Sequence, residues 1–176
     1  MAGNPVRILI AGGGTGGHLF PAFAVAEALK KLRPETVVHF VGSRFGLETR
    51  HFPARKDPYT LLKIRGWVRG FSWSGTTRNL GFPFRFVGAY LTSRRLLSEF
   101  QPDVVVGTGG YASGLPLLAA VHKGIPTAIQ EQNSYPGSTT RWLAKRVRKV
   151  FLSYPETARY LKKKTLWSPA TRCGRN

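Results

Sequence analysis

Short apolar runs alternate along this chain with longer stretches whose apolar residues recur at helical spacing. Val6 to Ala11 is β-rich and runs into the glycines 12–14. From Pro21 to Leu32, Phe23, Ala26, Leu29 and Leu32 fall near one helical face. Pro21 suits a first helical turn, and Pro34 stops the helix. Thr36 to Val41 reads as the next strand, Leu47 to Phe52 as a short helix, and Tyr59 to Ile64 as a third strand. A helix from about Pro83 to Glu99 follows. The remainder reads as strand Val104–Val106, helix Leu115–His122, strand Thr127–Ile129, helix Ser138–Arg146, strand Val150–Leu152 and a last helix near Pro155 to Leu161. Strands separated by helices of this length predict βαβ units and a Rossmann-like, doubly wound parallel α/β sheet.

Composition adds charge to this picture. The 176 residues hold 27 Lys and Arg against 8 Asp and Glu, a net charge of +19. Such an excess attracts polyanions, whether nucleic acid, anionic lipid or phosphorylated substrates, without choosing among them. At 42% hydrophobic the chain can build a core. A single cysteine, Cys173, excludes an internal disulfide framework and any Cys-based metal site, and fits a reducing cytoplasm. Nothing approaches 18 consecutive apolar residues, so membrane contact is expected to be peripheral.

In an open α/β sheet, ligands bind beyond the carboxyl ends of the strands. Three unusual turns fall there: Gly12 to His18 (GGGTGGH), Gly107 to Gly114 (GTGGYASG) and Gln130 to Gly137 (QEQNSYPG). Formally, Gly12, Gly14 and Gly17 make a GxGxxG fingerprint. A nicotinamide reading also wants an acid at the end of the second strand, where this chain has Ser43 and Arg44; Arg44 could meet a 2′-phosphate, which keeps an NADP alternative open. Physically, the turn offers close backbone approach and N–H groups at a helix start, suited to a phosphate or an anionic leaving group. Five glycines in six residues exceed what turning requires. His18 is positioned to take a proton from a hydroxyl. Tyr111 and Ser113 offer hydroxyls from the second turn. Glu131 and Asn133 put a carboxylate and an amide beside the glycines, an arrangement suited to a sugar.

GGTGGH at 13–18 followed by Pro21, GGYASG at 109–114 and EQNSYPG at 131–137 resemble the three signature loops of the MurG family, bacterial transferases of peptidoglycan synthesis. The likeness runs from about Val6 to Leu166; a departure is Leu115 before Pro116, where members often have Pro directly after Ser-Gly. The resemblance implies the N-terminal, acceptor-side lobe of a two-lobed GT-B fold. It implies inverting, metal-independent transfer of N-acetylglucosamine from UDP-GlcNAc to lipid I, giving lipid II, with no cofactor. On matching positions, Thr15, Gly16 and Gly17 would touch the donor diphosphate or sugar, and Asn133 the donor sugar. His18 is the general-base candidate. Glu131, placed with His18 among the catalytic residues, and Tyr111 would help to hold the acceptor, with Gly110 and Ser113 as further substrate contacts.

The segment from Arg65 to Phe86 mixes aromatics with arginines, as a monotopic membrane face requires. Trp73, Arg78, Phe82, Phe84, Arg85 and Phe86 are expected to form a patch on the anionic, cytoplasmic face of the inner membrane, with about half of the aromatics in the core instead. Residues 167–176 depart from the family's inter-lobe sequence; shifted by one nucleotide, with codons chosen for the purpose, they read VVTGNPVRT, which resembles it. The expectation is residues 1–166 as the lobe, a frame-shifted, disordered tail, no donor lobe, and little or no activity for the isolated chain. Two alternatives remain: a non-catalytic module binding acceptor or membrane, and a nucleic-acid binder. The latter is not expected, because no nucleic-acid module signature accompanies the charge.

Overall fold

In a computed structural model, residues 4–66 and 81–161 are described, together with the backbone of 166–167. Among them, seven strands form one parallel sheet: β1 (Arg7–Ala11), β2 (Val37–Ser43), β3 (Tyr59–Leu62), β4 (Val104–Gly107), β5 (Thr127–Glu131), β6 (Lys149–Leu152) and β7 (Leu166–Trp167). Their spatial order is β3-β2-β1-β4-β5-β6-β7. The helices are α1 (Gly16–Leu32), α2 (Glu48–His51), α3 (Phe82–Phe100), α4 (Tyr111–His122), α5 (Ser138–Leu143), and a 3-10 helix at Pro155–Tyr160.

Strand β1 shows why both faces must be covered. Leu9 and Ala11 join a buried cluster with Leu97, Leu117 and Ala120, while Ile8 and Ile10 join another with Leu19, Ala22, Ala26, Val38 and Phe40. Alternate residues of a strand point to opposite faces, so a strand apolar at every position is buried twice. Helices α3 and α4 cover one face; α1 lies on the other. The expected doubly wound parallel α/β fold is observed.

Both helices that follow a glycine-rich turn start earlier than proline placement suggests. Helix α1 begins at Gly16, five residues before Pro21, and α4 begins at Tyr111, five residues before Pro116. Each proline forgoes one backbone bond near the end of the first turn and a half, a cost that burial of Leu19, Ala22 and Ala26 in one helix and of Ala112 to Ala120 in the other offsets. Strands β2 and β5 run two residues longer than their apolar runs, so Gln130 and Glu131 lie in the sheet rather than in a turn. Helix α5 stops at Leu143, three residues short of Arg146. Trp167 pairs in register with Phe151, so the sheet takes in the first residue of the segment set apart as a tail. Residues 168–176, Cys173 included, lie outside the described residues.

Order and register fix where a site can form. From β1 the chain winds outward through β2 and β3, then returns to place β4 on the other flank of β1. Ala11 and Gly107 are register partners, so the turns after β1 and β4 leave the sheet side by side at the topological switch point. Gly107 also pairs with Ile129, which brings the turn after β5 alongside.

Candidate functional site

The first two turns pack backbone against backbone. Thr108 is fully buried; its N–H donates to the Ala11 carbonyl (2.9 Å) and its hydroxyl to the His18 carbonyl (2.8 Å). A Cβ on Gly12 would overlap the Thr108 hydroxyl, and one on Gly110 would overlap the Gly13 carbonyl oxygen. Gly110 also has φ +74°, in the left-handed region. Close approach therefore accounts for these glycines.

Glu48 explains Gly13. This carboxylate, at the start of α2, is fully buried beneath the first turn, where its Oε1 accepts from Gly14 N–H (2.9 Å) and Ser43 N–H (2.8 Å). A Cβ on Gly13 would overlap that same oxygen. Glu48 Oε2 has no partner among the described residues. The turn's amides are thus not all available to a ligand, and an anionic side chain already sits on Gly14. The Gly14 amide is therefore not available to a dinucleotide pyrophosphate. Ser43 is buried and donates its hydroxyl to the Ile64 carbonyl (2.7 Å), while Arg44 is exposed.

Gly16 and Gly17 behave differently. They open α1, and apart from the Phe20 ring one turn on, little approaches them; a Cβ on Gly17 would meet nothing closer than the Thr15 hydroxyl at 4.0 Å. Thr15 is the N-cap residue, but its hydroxyl makes no capping bond, and the first turn carries no acid. These helix-end amides are left for another acceptor.

His18 sits between all three loops. Its Nδ1 lies 3.2 Å from the Thr108 carbonyl oxygen and 2.7 Å from the amide end of the Gln132 side chain. Nε2 has no partner among the described residues. The ring lines a cleft of about 270 Å³ with Gly66, Gly109, Gly110, Tyr111, Glu131 and the start of α5. Tyr111 lays its half-buried ring against Gly14 and Gly66.

The third loop is tied from within. Glu131, 2% exposed, accepts from Asn133 N–H (3.1 Å) and Asn133 Nδ2 (2.8 Å) through Oε1, and from Gly137 N–H (3.1 Å) through Oε2. The buried Thr157 hydroxyl lies 3.0 Å from both the Asn133 and Ser134 carbonyl oxygens. Glu131 therefore shapes the loop that holds up the exposed Asn133. Ser113 takes a different place from that expected of a ligand contact: it is 1% exposed, and its hydroxyl donates to the Gly110 carbonyl (3.0 Å).

Thr15, Gly16, Gly17, His18, Gly110, Tyr111, Glu131 and Asn133 thus come together at one end of the sheet. Sequence reasoning missed Glu48, Thr108 and Gln132. Gln132 stood between two chosen residues, and Glu48 was an acid just beyond the end of β2. Among the described residues no three His, Cys, Asp or Glu side chains group as metal ligands, and no helix is long and apolar enough to cross a membrane.

The proposed membrane patch is redistributed by helix geometry. Phe82, Phe84 and Phe86 share a face only in a strand; in α3, residues two apart point about 200° apart. Phe82 and Phe86 lie on one side with rings 5.9 Å apart, and Phe86 packs against the core. Phe84 is 84% exposed and aligns instead with Val87 and Leu91, both exposed. Arg85 is half-buried with its guanidinium beside Gly81. Trp73 and Arg78 lie outside the described residues.

A family model described as the glycosyltransferase family 28 N-terminal domain matches residues 8–152. The chain belongs to this family. It is 47% identical over 159 residues to a UDP-N-acetylglucosamine–N-acetylmuramyl-(pentapeptide) pyrophosphoryl-undecaprenol N-acetylglucosamine transferase of Prosthecochloris aestuarii, covering 90% of this chain and 44% of that protein. The Lactiplantibacillus plantarum protein of the same description is 44% identical over 154 residues, covering 88% and 41%. The crystal structure of Acinetobacter baumannii MurG superposes with a TM-score of 0.75 at 28% identity, covering 93% of this chain and 45% of that one. A UDP-GlcNAc 2-epimerase from Methanocaldococcus jannaschii, with a TM-score of 0.65 at 15% identity over 93% of this chain and 45% of that one, shares the fold. This family-28 domain is a MurG homologue with the N-terminal lobe of the GT-B architecture, and it spans less than half the length of these relatives.

Proposed function

We propose that this family-28 lobe forms the acceptor side of an inverting transferase that moves N-acetylglucosamine from UDP-GlcNAc to lipid I. The observation that carries the reading is the cleft at the β1/β4 switch point, lined by His18 and bordered by all three loops. The names of its relatives supply the substrates. In this reading the acceptor hydroxyl gives its proton to His18 Nε2 as its oxygen attacks the anomeric carbon. The bond from that carbon to the UDP oxygen breaks, and UDP leaves carrying the additional negative charge. Thr15 and the Gly16 and Gly17 amides at the start of α1 receive the diphosphate, where the helix dipole favours an anion. Tyr111 and Gly110 orient the acceptor, Asn133 meets the donor sugar, and Glu131 holds Asn133 in place.

The same reading puts the lobe peripherally on the cytoplasmic face of the inner membrane. Phe84, Val87 and Leu91 would enter the headgroup boundary, and the +19 charge would favour anionic lipid. The isolated chain is expected to be inactive or nearly so, serving at most as an acceptor- or membrane-binding lobe, because in this reading most donor contacts come from the second lobe.

Radiolabelled UDP-GlcNAc and a soluble lipid I analogue test this. The described lobe joined to the second lobe of the P. aestuarii relative should transfer label, and the isolated chain should not. A His18→Ala change in the joined enzyme should lower kcat on the order of 10²–10⁴-fold. A joined enzyme that folds but transfers nothing, or full activity without His18, would sink the reading.

A further inference from the structure

Two groups compete for His18 Nδ1, and they cannot both be satisfied as they stand. The Thr108 backbone carbonyl, 3.2 Å away, can only accept a hydrogen bond. The amide nitrogen of Gln132, 2.7 Å away, can only donate one. If Nδ1 accepts from Gln132, its lone pair also faces the carbonyl of Thr108. Gln132 Oε1 is then buried with no partner among the described residues. Either orientation leaves one end of the amide in that buried place, so the pairing at Nδ1 decides between them. A half-turn of the amide exchanges two ends of nearly equal size. It sets Oε1 against Nδ1, and a single Nδ1–H then serves both the Thr108 and the Gln132 carbonyls.

We propose that Gln132 is a positioning residue whose side-chain carbonyl, together with the Thr108 carbonyl, holds His18 as the Nδ1–H tautomer, so that Nε2 presents its lone pair to the acceptor hydroxyl. This rests on the reading of His18 as the base. A neutral imidazole carries its proton on one nitrogen or the other, and the partner of one nitrogen decides the chemistry of the second. Thr108 is well suited to its share. Its own hydroxyl donates to the His18 carbonyl, so both backbone and ring of His18 are fixed by one buried residue. Gln132 follows β5, whose last residue Glu131 ties down the loop; that anchoring delivers the Gln132 amide to the ring.

Two-bond 1H–15N spectra of the 176-residue chain with 15N-labelled histidine, recorded on the alkaline side of histidine titration, report the tautomer directly. The expected result is a His18 signal of the Nδ1–H type. Gln132→Leu should lower the ratio of Nδ1–H to Nε2–H forms several-fold, by up to roughly tenfold, the factor equivalent to one net hydrogen bond. Gln132→Glu, which can only accept at that pH, should restore it. An Nε2–H signal in the wild-type chain overturns the proposal, as does an unchanged ratio in Gln132→Leu or a failure of Gln132→Glu to restore it. The spectrum needs no turnover. Retained transfer by a joined enzyme carrying His18→Gln would therefore sink the base reading separately, with the tautomer result intact.

Discussion

Replacing Glu48 by alanine should destabilise the domain by about 3 kcal/mol, and the structure supplies the components. Oε1 is the acceptor for two backbone N–H groups, of Gly14 and Ser43, in a site where the side chain has no exposure. Each donor stranded in the interior costs about 1–3 kcal/mol. Losing the buried Cγ methylene, which lies against Gly42, adds about 0.8 kcal/mol. Water entering the vacated space would repair part of this, so the estimate sits toward the low end of the sum. Glu48→Gln keeps a carbonyl oxygen for both amides and loses the charge, since a neutral acceptor makes bonds roughly half as strong; it should cost about 1 kcal/mol. Urea denaturation followed by circular dichroism separates the two. With slopes of about 1–3 kcal/mol per molar for small proteins, Glu48→Ala should lower the midpoint on the order of 1–3 M, with a much smaller shift for the glutamine variant. Equal midpoints for wild type and Glu48→Ala would refute the argument that this carboxylate holds the first turn together.

Other outcomes follow from the same geometry. Gly110→Ala should cost more than about 2 kcal/mol by urea denaturation, because its Cβ meets the Gly13 carbonyl at a positive φ. Gly17→Ala should leave stability unchanged or raise it by up to about 1 kcal/mol, while weakening UDP binding by a two-lobed enzyme. Phe84→Ser with Leu91→Ser should reduce binding to anionic liposomes on the order of tenfold or more, since each buried apolar side chain contributes about 1.5–3 kcal/mol. Phe86→Ser should lower the unfolding midpoint instead; reversed phenotypes would place the membrane face elsewhere. Burial holds the His39 imidazole below its ordinary 6.5. The unfolded chain therefore binds the proton first as pH falls: stability is full above about 6.5 and declines from there down to the folded value. His39→Gln, which retains a partner for Thr60, should flatten that decline in denaturation measured across the acid range, and an unchanged slope would exclude His39 as its source.

What the sequence made legible, and what it hid, divides along a physical line. Strand positions could be read because runs such as β1 are short, apolar and buried on both faces, a signal that needs no knowledge of neighbours. Helix starts could not. Pro21 and Pro116 look like first-turn prolines, and nothing local reveals that Gly16 and Tyr111 are already helical. The aromatic segment, about half of it expected in the core, could not be sorted residue by residue for a similar reason. The helix expected from about Pro83 already sets Phe84 and Phe86 about 200° apart, but which of the two meets the core depends on long-range packing that no local pattern shows.

The glycines carry the deeper case. As composition, five in six residues looked like more than a turn needs and pointed to a ligand. In the fold, Gly12 and Gly13 answer to Thr108 and Glu48, residues 96 and 35 positions further along the chain, and Gly110 answers to Gly13. Those demands are long-range, so no local pattern could show them. Once they are subtracted, along with Gly14, which has φ +91° and lies against the Tyr111 ring, Gly16 and Gly17 remain, at a helix end that no side chain caps and where little approaches. A glycine required by neither packing nor a positive φ costs helix stability relative to alanine. Its presence argues that something outside the described residues comes close to that backbone. The motif is therefore two devices in one run: Gly12 and Gly13 fit the turn against its neighbours, and Gly16 and Gly17 leave the helix end open.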